Sequence, residues 1–272
     1  MLEARFELST DLEDEVIVVT GGAGVLGSIM TRALAQCGAR VAVLTRDAGK
    51  AAEHIKHERI IVLSSDVQDR DLLEENHRQI RDKFGLVTAL INAAGGNSAA
   101  ATTGDSLKFM DIEKSGFESV FSLNLTGTVL ASQVFARDMI ERGTGNIINI
   151  SSMAASRPLT RIPAYSAAKA AVDNFTAWLA VHMAKECSPA IRVNAIAPGF
   201  FLTEQNRFLL LEEETGDYTE RGRSIVDHTP MGRFGEGEEL LGPVLFLLSP
   251  GARFITGVVL PVDGGFSAYA GV

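Results

Sequence analysis

Cysteine is scarce, with only Cys37 and Cys187 in a chain of 272 residues. They stand far apart without a Cys-x-x-Cys partner, which excludes a disulfide scaffold or zinc ribbon and leaves buried free thiols as the expectation. The five histidines show no metal-ligand spacing; His54 and His57 are expected to share a helical face as a solvated pair, and no metal site is expected. Basic charge is in deficit, with 25 Lys and Arg against 34 Asp and Glu for a net charge of −9, and no basic run offsets it. That excludes a nucleic-acid or anionic-membrane surface. No uninterrupted apolar run reaches the roughly 18 residues of a membrane helix. The start Met1-Leu2-Glu3-Ala4-Arg5 lacks the regions of a signal peptide, so a cytoplasmic chain without a membrane partner is expected. No Pro/Ser/Gly-rich linker or internal repeat divides residues 1–272, and 46% apolar content supports one domain with a sizeable core.

Tyrosine is also rare, at three residues, and one of them heads Tyr165-Ser166-Ala167-Ala168-Lys169, downstream of Ser151-Ser152. This spacing is one helical turn, so the Lys169 ammonium is expected beside the Tyr165 phenol, lowering its pKa and making Tyr165 a general acid/base. Taken alone, the pair equally describes a surface lysine next to a half-buried tyrosine. Its company decides between the two. The apolar run Val16 to Val19 leads into Thr20-Gly21-Gly22-Ala23-Gly24-Val25-Leu26-Gly27 and then a helical pattern, the strand, glycine turn and helix of a dinucleotide-binding fingerprint. Gly22 is expected to make the tight turn, Gly24 to let backbone approach a pyrophosphate, and Gly27 to pack helix on strand.

Short apolar runs alternate with helical patterns throughout, which predicts a parallel α/β sheet. Candidate strands are Val16 to Thr20, Val41 to Thr45, Ile60 to Leu63, Val87 to Asn92, Asn146 to Ile150, Ile191 to Ile196 and Gly257 to Leu260. The polar motifs fall at their carboxyl ends, where ligands bind such sheets.

These motifs, with Asp66-Val67, Asn92-Ala93-Ala94-Gly95, Asn124 and Arg192 to Gly199 leading to Thr203, resemble the short-chain dehydrogenase/reductase family from about Leu12 to the C-terminus. The resemblance implies a doubly wound Rossmann sheet of about seven strands with helices on both faces, a three-layer α/β/α fold. It implies a catalytic tetrad of Asn124, Ser152, Tyr165 and Lys169 and an NAD(P)-dependent interconversion of ketone and secondary alcohol. Implied cofactor contacts are Gly21, Gly22, Gly24, Val25, Leu26 and Gly27; Thr45 and Arg46; Asp66 and Val67; Asn92, Ala93, Ala94 and Gly95; Tyr165 and Lys169; and Pro198, Gly199, Phe201 and Thr203. The glycine turn departs from the family's usual spacing, with Val25 where a glycine is common, and Ala93 replaces a common asparagine.

Arg46 after the second strand suits the 2′-phosphate of NADP(H), favouring it over NAD(H), although Asp47 could neutralise Arg46 or itself reach a ribose. Residues 204–231 lie where the family carries its substrate lid. Arg207, Arg221 and Arg223 there, and Arg157 and Arg161 between Ser152 and Tyr165, suggest an anionic small-molecule substrate. Expected substrate contacts are Asn97, Ser152, Arg161, Tyr165 and Arg207. The runs Arg157 to Tyr165, Asn92 to Asn97 and Pro261 to Tyr269 resemble the family's bacterial sugar-acid reductases, of D-mannonate oxidoreductase (fructuronate reductase) or gluconate 5-dehydrogenase type. Two alternatives stand beside that expectation: a reductase of 3-oxoacyl groups on a carrier protein, and a cofactor-binding regulator without turnover. The helix opened by Tyr165 is apolar on two faces, Val172, Leu179 and Met183 on one and Ala171, Phe175 and Trp178 on the other, which suggests a homodimer or homotetramer, the alternative cover being the chain's own C-terminal segment.

Overall fold

Strands Val16–Thr20 (β1), Arg40–Thr45 (β2), Ile60–Ser64 (β3), Ala89–Asn92 (β4), Gly145–Ile150 (β5), Ile191–Pro198 (β6) and Val259–Val262 (β7) form one parallel sheet in the order β3-β2-β1-β4-β5-β6-β7. A computed structural model describes residues 11–204 and 206–271; the acidic start at Met1 to Arg5 lies outside the described residues. Alternation along each strand explains the layering, because successive side chains point to opposite faces. Val16 and Val18 join one core with Leu90, Phe135, Ile147 and Val193, whereas Ile17 and Val19 join another with Met30, Val41, Ile91 and Ile148.

Helices Val25–Gln36 (α1) and Ala48–His54 (α2) follow the first two strands, and Arg70–Phe84 (α3) follows the third. Lys114–Phe121 (α4) and Gly127–Arg142 (α5) are joined through a π-helical turn at Ser122–Thr126. Pro163–His182 (α6) follows β5; Arg207–Leu210 (α7), Glu220–His228 (α8) and Leu241–Leu248 (α9) lie between β6 and β7. Pro163 opens α6 at a position where its missing N–H costs nothing, so Tyr165 sits inside the first turn rather than opening the helix.

Four local expectations are corrected. β4 starts at Ala89 rather than Val87, because the Val87 N–H is taken by the Asp138 carboxylate at 2.8 Å. β7 lies two residues later than expected: Gly257 has φ +79° and turns the chain, and the edge position tolerates Pro261. His57 lies past the end of α2, so it shares no helical face with His54. Cys37 is half-buried and Cys187 exposed, both unbridged. The continuous helical stretch Lys114–Arg142 is, by length and composition, apolar enough to cross a membrane, which counting uninterrupted apolar runs overlooked. It packs on β4, β5, α3 and α6 as a core helix of the layered fold.

Candidate active site

β1 pairs with β2 on one side and β4 on the other, so the strand order reverses beside its carboxyl end and a crevice opens there. Gly21 carries the chain into this crevice with φ +64°, a conformation costly for any residue with a side chain. The tight turn is therefore made by Gly21 and not Gly22, which packs under α1 with its carbonyl accepting from Thr31 Oγ1 at 3.1 Å. Gly24 caps α1 without a side-chain bond, leaving the first helical N–H groups open to an anion. At Gly27 a Cβ would stand 2.3 Å from the Gly21 carbonyl oxygen, so only glycine lets the helix sit this close to the turn.

The cavity over this turn measures about 580 Å³. Its wall includes Gly21, Gly24, Val25, Leu26 and Gly27, with Thr45, Arg46, Asp66 and Val67 from the ends of β2 and β3. Ala93, Ala94, Gly95, Tyr165, Gly199, Phe201 and Thr203 complete the expected set on the wall. Four expected contacts are absent from it. Gly22 packs on α1, and Pro198 is the buried end of β6. Asn92 is buried, its amide donating to Ser132 Oγ at 3.1 Å and Asn149 Oδ1 at 2.9 Å. Lys169 lies behind Tyr165, only 5% exposed.

Ser65, Phe200 and Asn206 also line the cavity and carried no sequence signal. The Ser65 hydroxyl is buried without a hydrogen-bond partner among the described residues, while the Asn206 amide bonds the Thr203 N–H and the Phe201 carbonyl, each at 2.8 Å. Arg46 is exposed, and among the described residues it makes no ion pair. Asp47 is spent as the cap of α2, accepting from Lys50 N at 3.0 Å. A side-chain-free turn, an uncapped helix N-terminus and an orphaned hydroxyl together fit a dinucleotide.

Around Tyr165 the tetrad residues converge. Ser152 follows β5 and caps a short 3₁₀ turn, accepting from Ala154 N at 3.2 Å; its hydroxyl is near enough to the Tyr165 phenol to favour the phenolate. Lys169 Nζ donates to the Ile150 carbonyl at 2.7 Å and stands 5.7 Å from the Tyr165 ring centroid. Asn124 sits in the π-helical turn, a distortion frequent at functional sites. Its Nδ2 donates to the carbonyls of Gly96 at 2.7 Å and Val120 at 2.8 Å, and its Oδ1 accepts from Gly96 N at 3.1 Å. A Cβ on Gly95 would lie 2.7 Å from Asn124 Oδ1 and 3.1 Å from Lys169 Nζ, so the glycine brings both groups against the loop after β4.

The electrostatics differ from the expectation that Lys169 lowers the Tyr165 pKa. Burial pushes the phenol above its usual value, with the Ser152 hydroxyl pulling the other way. Burial also depresses Lys169 to about 8, partly offset by the charge of Asp173. Asp173, one turn beyond Lys169, accepts a short hydrogen bond from Ser151 Oγ. The same spacing that marks Tyr165 and Lys169 could have pointed to it.

The five arginines suggested as anion readers do not converge. Arg157 and Arg221 share one cavity, Arg161 lines another with Phe109 and Ser166, and Arg207 is exposed at the start of α7. Arg223 lies over the Tyr218 ring at 5.7 Å. Asn97 is exposed and donates to Thr102 Oγ1 at 2.7 Å. In the apolar run of 204–231, Leu210 is buried but Phe208 and Leu209 face outward.

Comparison with known proteins agrees with this geometry. The short chain dehydrogenase family model matches residues 15–214. The uncharacterized oxidoreductase UxuB of Bacillus subtilis (strain 168) is 46% identical, over 97% of this chain and 99% of its own. Gluconate 5-dehydrogenase of Gluconobacter oxydans (strain 621H) is 31% identical, over 92% of this chain and 93% of its own. A crystal structure from Haemophilus influenza, assigned as a D-mannonate oxidoreductase and holding bound NAD, superposes with TM-score 0.89 at 46% identity, covering 98% of this chain and all of that one. The chain belongs to the short-chain dehydrogenase/reductase family of NAD(P)-dependent oxidoreductases that act on CH–OH groups.

Proposed function

We propose that this enzyme interconverts a ketone and a secondary alcohol on a sugar acid of the fructuronate/mannonate or 5-ketogluconate type, with Tyr165 as general acid/base. The observation carrying this is Tyr165 on the wall of the glycine-cradled cavity, with the Ser152 hydroxyl beside its phenol and Lys169 one turn behind it. The chemistry a nicotinamide cofactor supplies when bound there is hydride transfer. Ser152 and Tyr165 orient the substrate carbonyl by hydrogen bonding its oxygen, and Tyr165 gives that oxygen its proton as negative charge develops. A phenol kept protonated by burial suits the proton donor of a reduction. Lys169 supplies positive charge behind the phenol, and Asn124 holds the loop at Gly96 in place.

The exposed Arg46, left unopposed by the capping Asp47, favours NADP(H) over NAD(H). Residues 1–272 act as one domain, with 204–231 as a lid over the substrate. Unbridged Cys37 and Cys187 suit a reducing cytoplasm. Trp178, 58% exposed beside a Phe175 that packs partly into the core, offers the second apolar face of α6 to another copy of the chain as dimer or tetramer.

Cofactor oxidation by the purified enzyme tests this, using fructuronate and 5-ketogluconate beside neutral ketoses and an acetoacetyl thioester. Turnover of the keto-sugar acids, with NADPH giving a higher kcat/KM than NADH, is expected. Tyr165→Phe should lower kcat by about 10² to 10⁴. Turnover of the acyl substrate alone, or full activity in Tyr165→Phe, would overturn the proposal, and a preference for NADH would overturn its cofactor part.

A further inference from the structure

We infer that Arg157, Arg221 and His228 form an anion-binding subsite that takes the substrate's carboxylate while its ketone lies at Tyr165, an inference resting on the function proposed above. These three side chains line a cavity of about 500 Å³ between the loop after β5 and α8. Phe200 lines both this cavity and the one holding Tyr165, so the two adjoin at this residue.

Charge distinguishes the place. In a chain with 34 acidic and 25 basic residues, two guanidiniums and no carboxylate of the described residues line this cavity. Glu220 and Asp227 face the adjacent depression, whose wall His228 also joins. Among the described residues, neither Arg157 nor Arg221 makes an ion pair.

Arg157 is also held in place. Its Nε donates to the Ser267 carbonyl at 3.0 Å, fixing one edge of the guanidinium and leaving further donors for a carboxylate. His228 is positioned by Phe266 and Tyr269, with ring centroids 4.7 and 5.3 Å away. Arg161, expected to read the anion, lies in the other cavity with its carbonyl tied to Thr103 N and a backbone φ of 73°.

A substrate with its ketone in one cavity and its carboxylate in the other must reach past Phe200, where the two adjoin. The carboxylate lies several bonds from the reacting carbon, as in a keto-sugar acid, and not next to it as in an α-keto acid. Thr160 and Ser224 on the same wall offer hydroxyls to the intervening sugar.

Calorimetric titration of the cofactor-loaded enzyme with D-gluconate and its neutral counterpart D-glucitol tests the subsite. Arg157→Gln and Arg221→Gln should each weaken gluconate binding by about tenfold or more, with glucitol unchanged and Arg161→Ala without effect. Among the described residues the Arg221 side chain hydrogen-bonds no backbone atom, so its variant guards against loss through misfolding at Arg157, and thermal melts of both verify folding. Unchanged gluconate affinity in both variants, equal loss for gluconate and glucitol, or no gluconate binding by wild type would overturn the inference. Tyr165→Phe keeps the two ideas apart: it should lower kcat by about 10² to 10⁴ yet still bind gluconate. A wild type that binds gluconate through both arginines but reduces no ketone would sink the proposed function and leave the subsite standing.

Discussion

Lys169 is a buried ammonium with one carbonyl partner and a carboxylate one turn away. Its pKa of about 8 lies below the ordinary 10.5, so its charge is lost as pH rises through 8. The alkaline fall in kcat/KM for reduction should therefore come near pH 8. Asp173→Asn, which removes the charge holding the proton on Lys169, should move that fall to lower pH, as a pH–rate profile would record. Stability responds with the opposite sign. The unfolded chain binds the extra proton between about 8 and 10.5, so the contribution of Lys169 to stability grows with pH across that window. Residue types and spacing made Tyr165, Lys169 and Ser152 legible in the sequence. The direction of the Tyr165 shift was not legible, because burial comes from side chains distant in the chain.

The elements that matter most are β1, its glycine turn and α1. Gly27→Ala would drive a methyl against the Gly21 carbonyl oxygen at 2.3 Å, lifting α1 from the turn. Such overpacking typically costs about 1–3 kcal/mol. Cofactor KM should rise by about tenfold, with a lower melting temperature, as steady-state kinetics and calorimetry would show. The inner strands were readable because buried parallel strands are short, apolar and β-branched, and the half-buried edge strand β7 keeps an apolar run. Their ends were less so: β4 yields Val87 to the Asp138 carboxylate, and β7 starts late because Gly257 turns the chain first. Which glycine makes the tight turn depends on where Ala94 passes, and Ala94 arrives from another strand.

Across the whole molecule, Asp138 ties α5 to α3 and to the entrance of β4. Fully buried, it accepts from His77 Nε2 at 2.9 Å, Arg81 Nη1 at 3.0 Å and Val87 N at 2.8 Å. Burial opposes its ionisation, but hydrogen bonds from His77 and Val87 and the nearby Arg81 hold its pKa below the ordinary 3.8. Asp138→Ala should cost about 3 kcal/mol at neutral pH. That gap should shrink in urea melts as pH falls through the lowered pKa, where the native carboxylate is protonated too. On the outer face of α6, Trp178 stacks on His182 at 5.0 Å and remains exposed. The C-terminal segment packs on His228 instead. Trp178→Glu should shift the mass in light scattering toward monomer without loss of folding.

The alternation of apolar runs and helical patterns, the glycine turn and the spacing of Tyr165 and Lys169 were properties of the chain itself, because each depends on neighbours within a turn or a strand. Sheet order, cavity walls and charge states were decided only by folding. Arg157 and Arg221 lie far apart in sequence, and the packing of α8 against the loop after β5 is what gives them one cavity. Arg161 is close to Arg157 in the chain, yet the turn that gives it φ 73° leaves it in another. Local sequence sets which groups are available; long-range packing sets which of them meet and how much water remains between them.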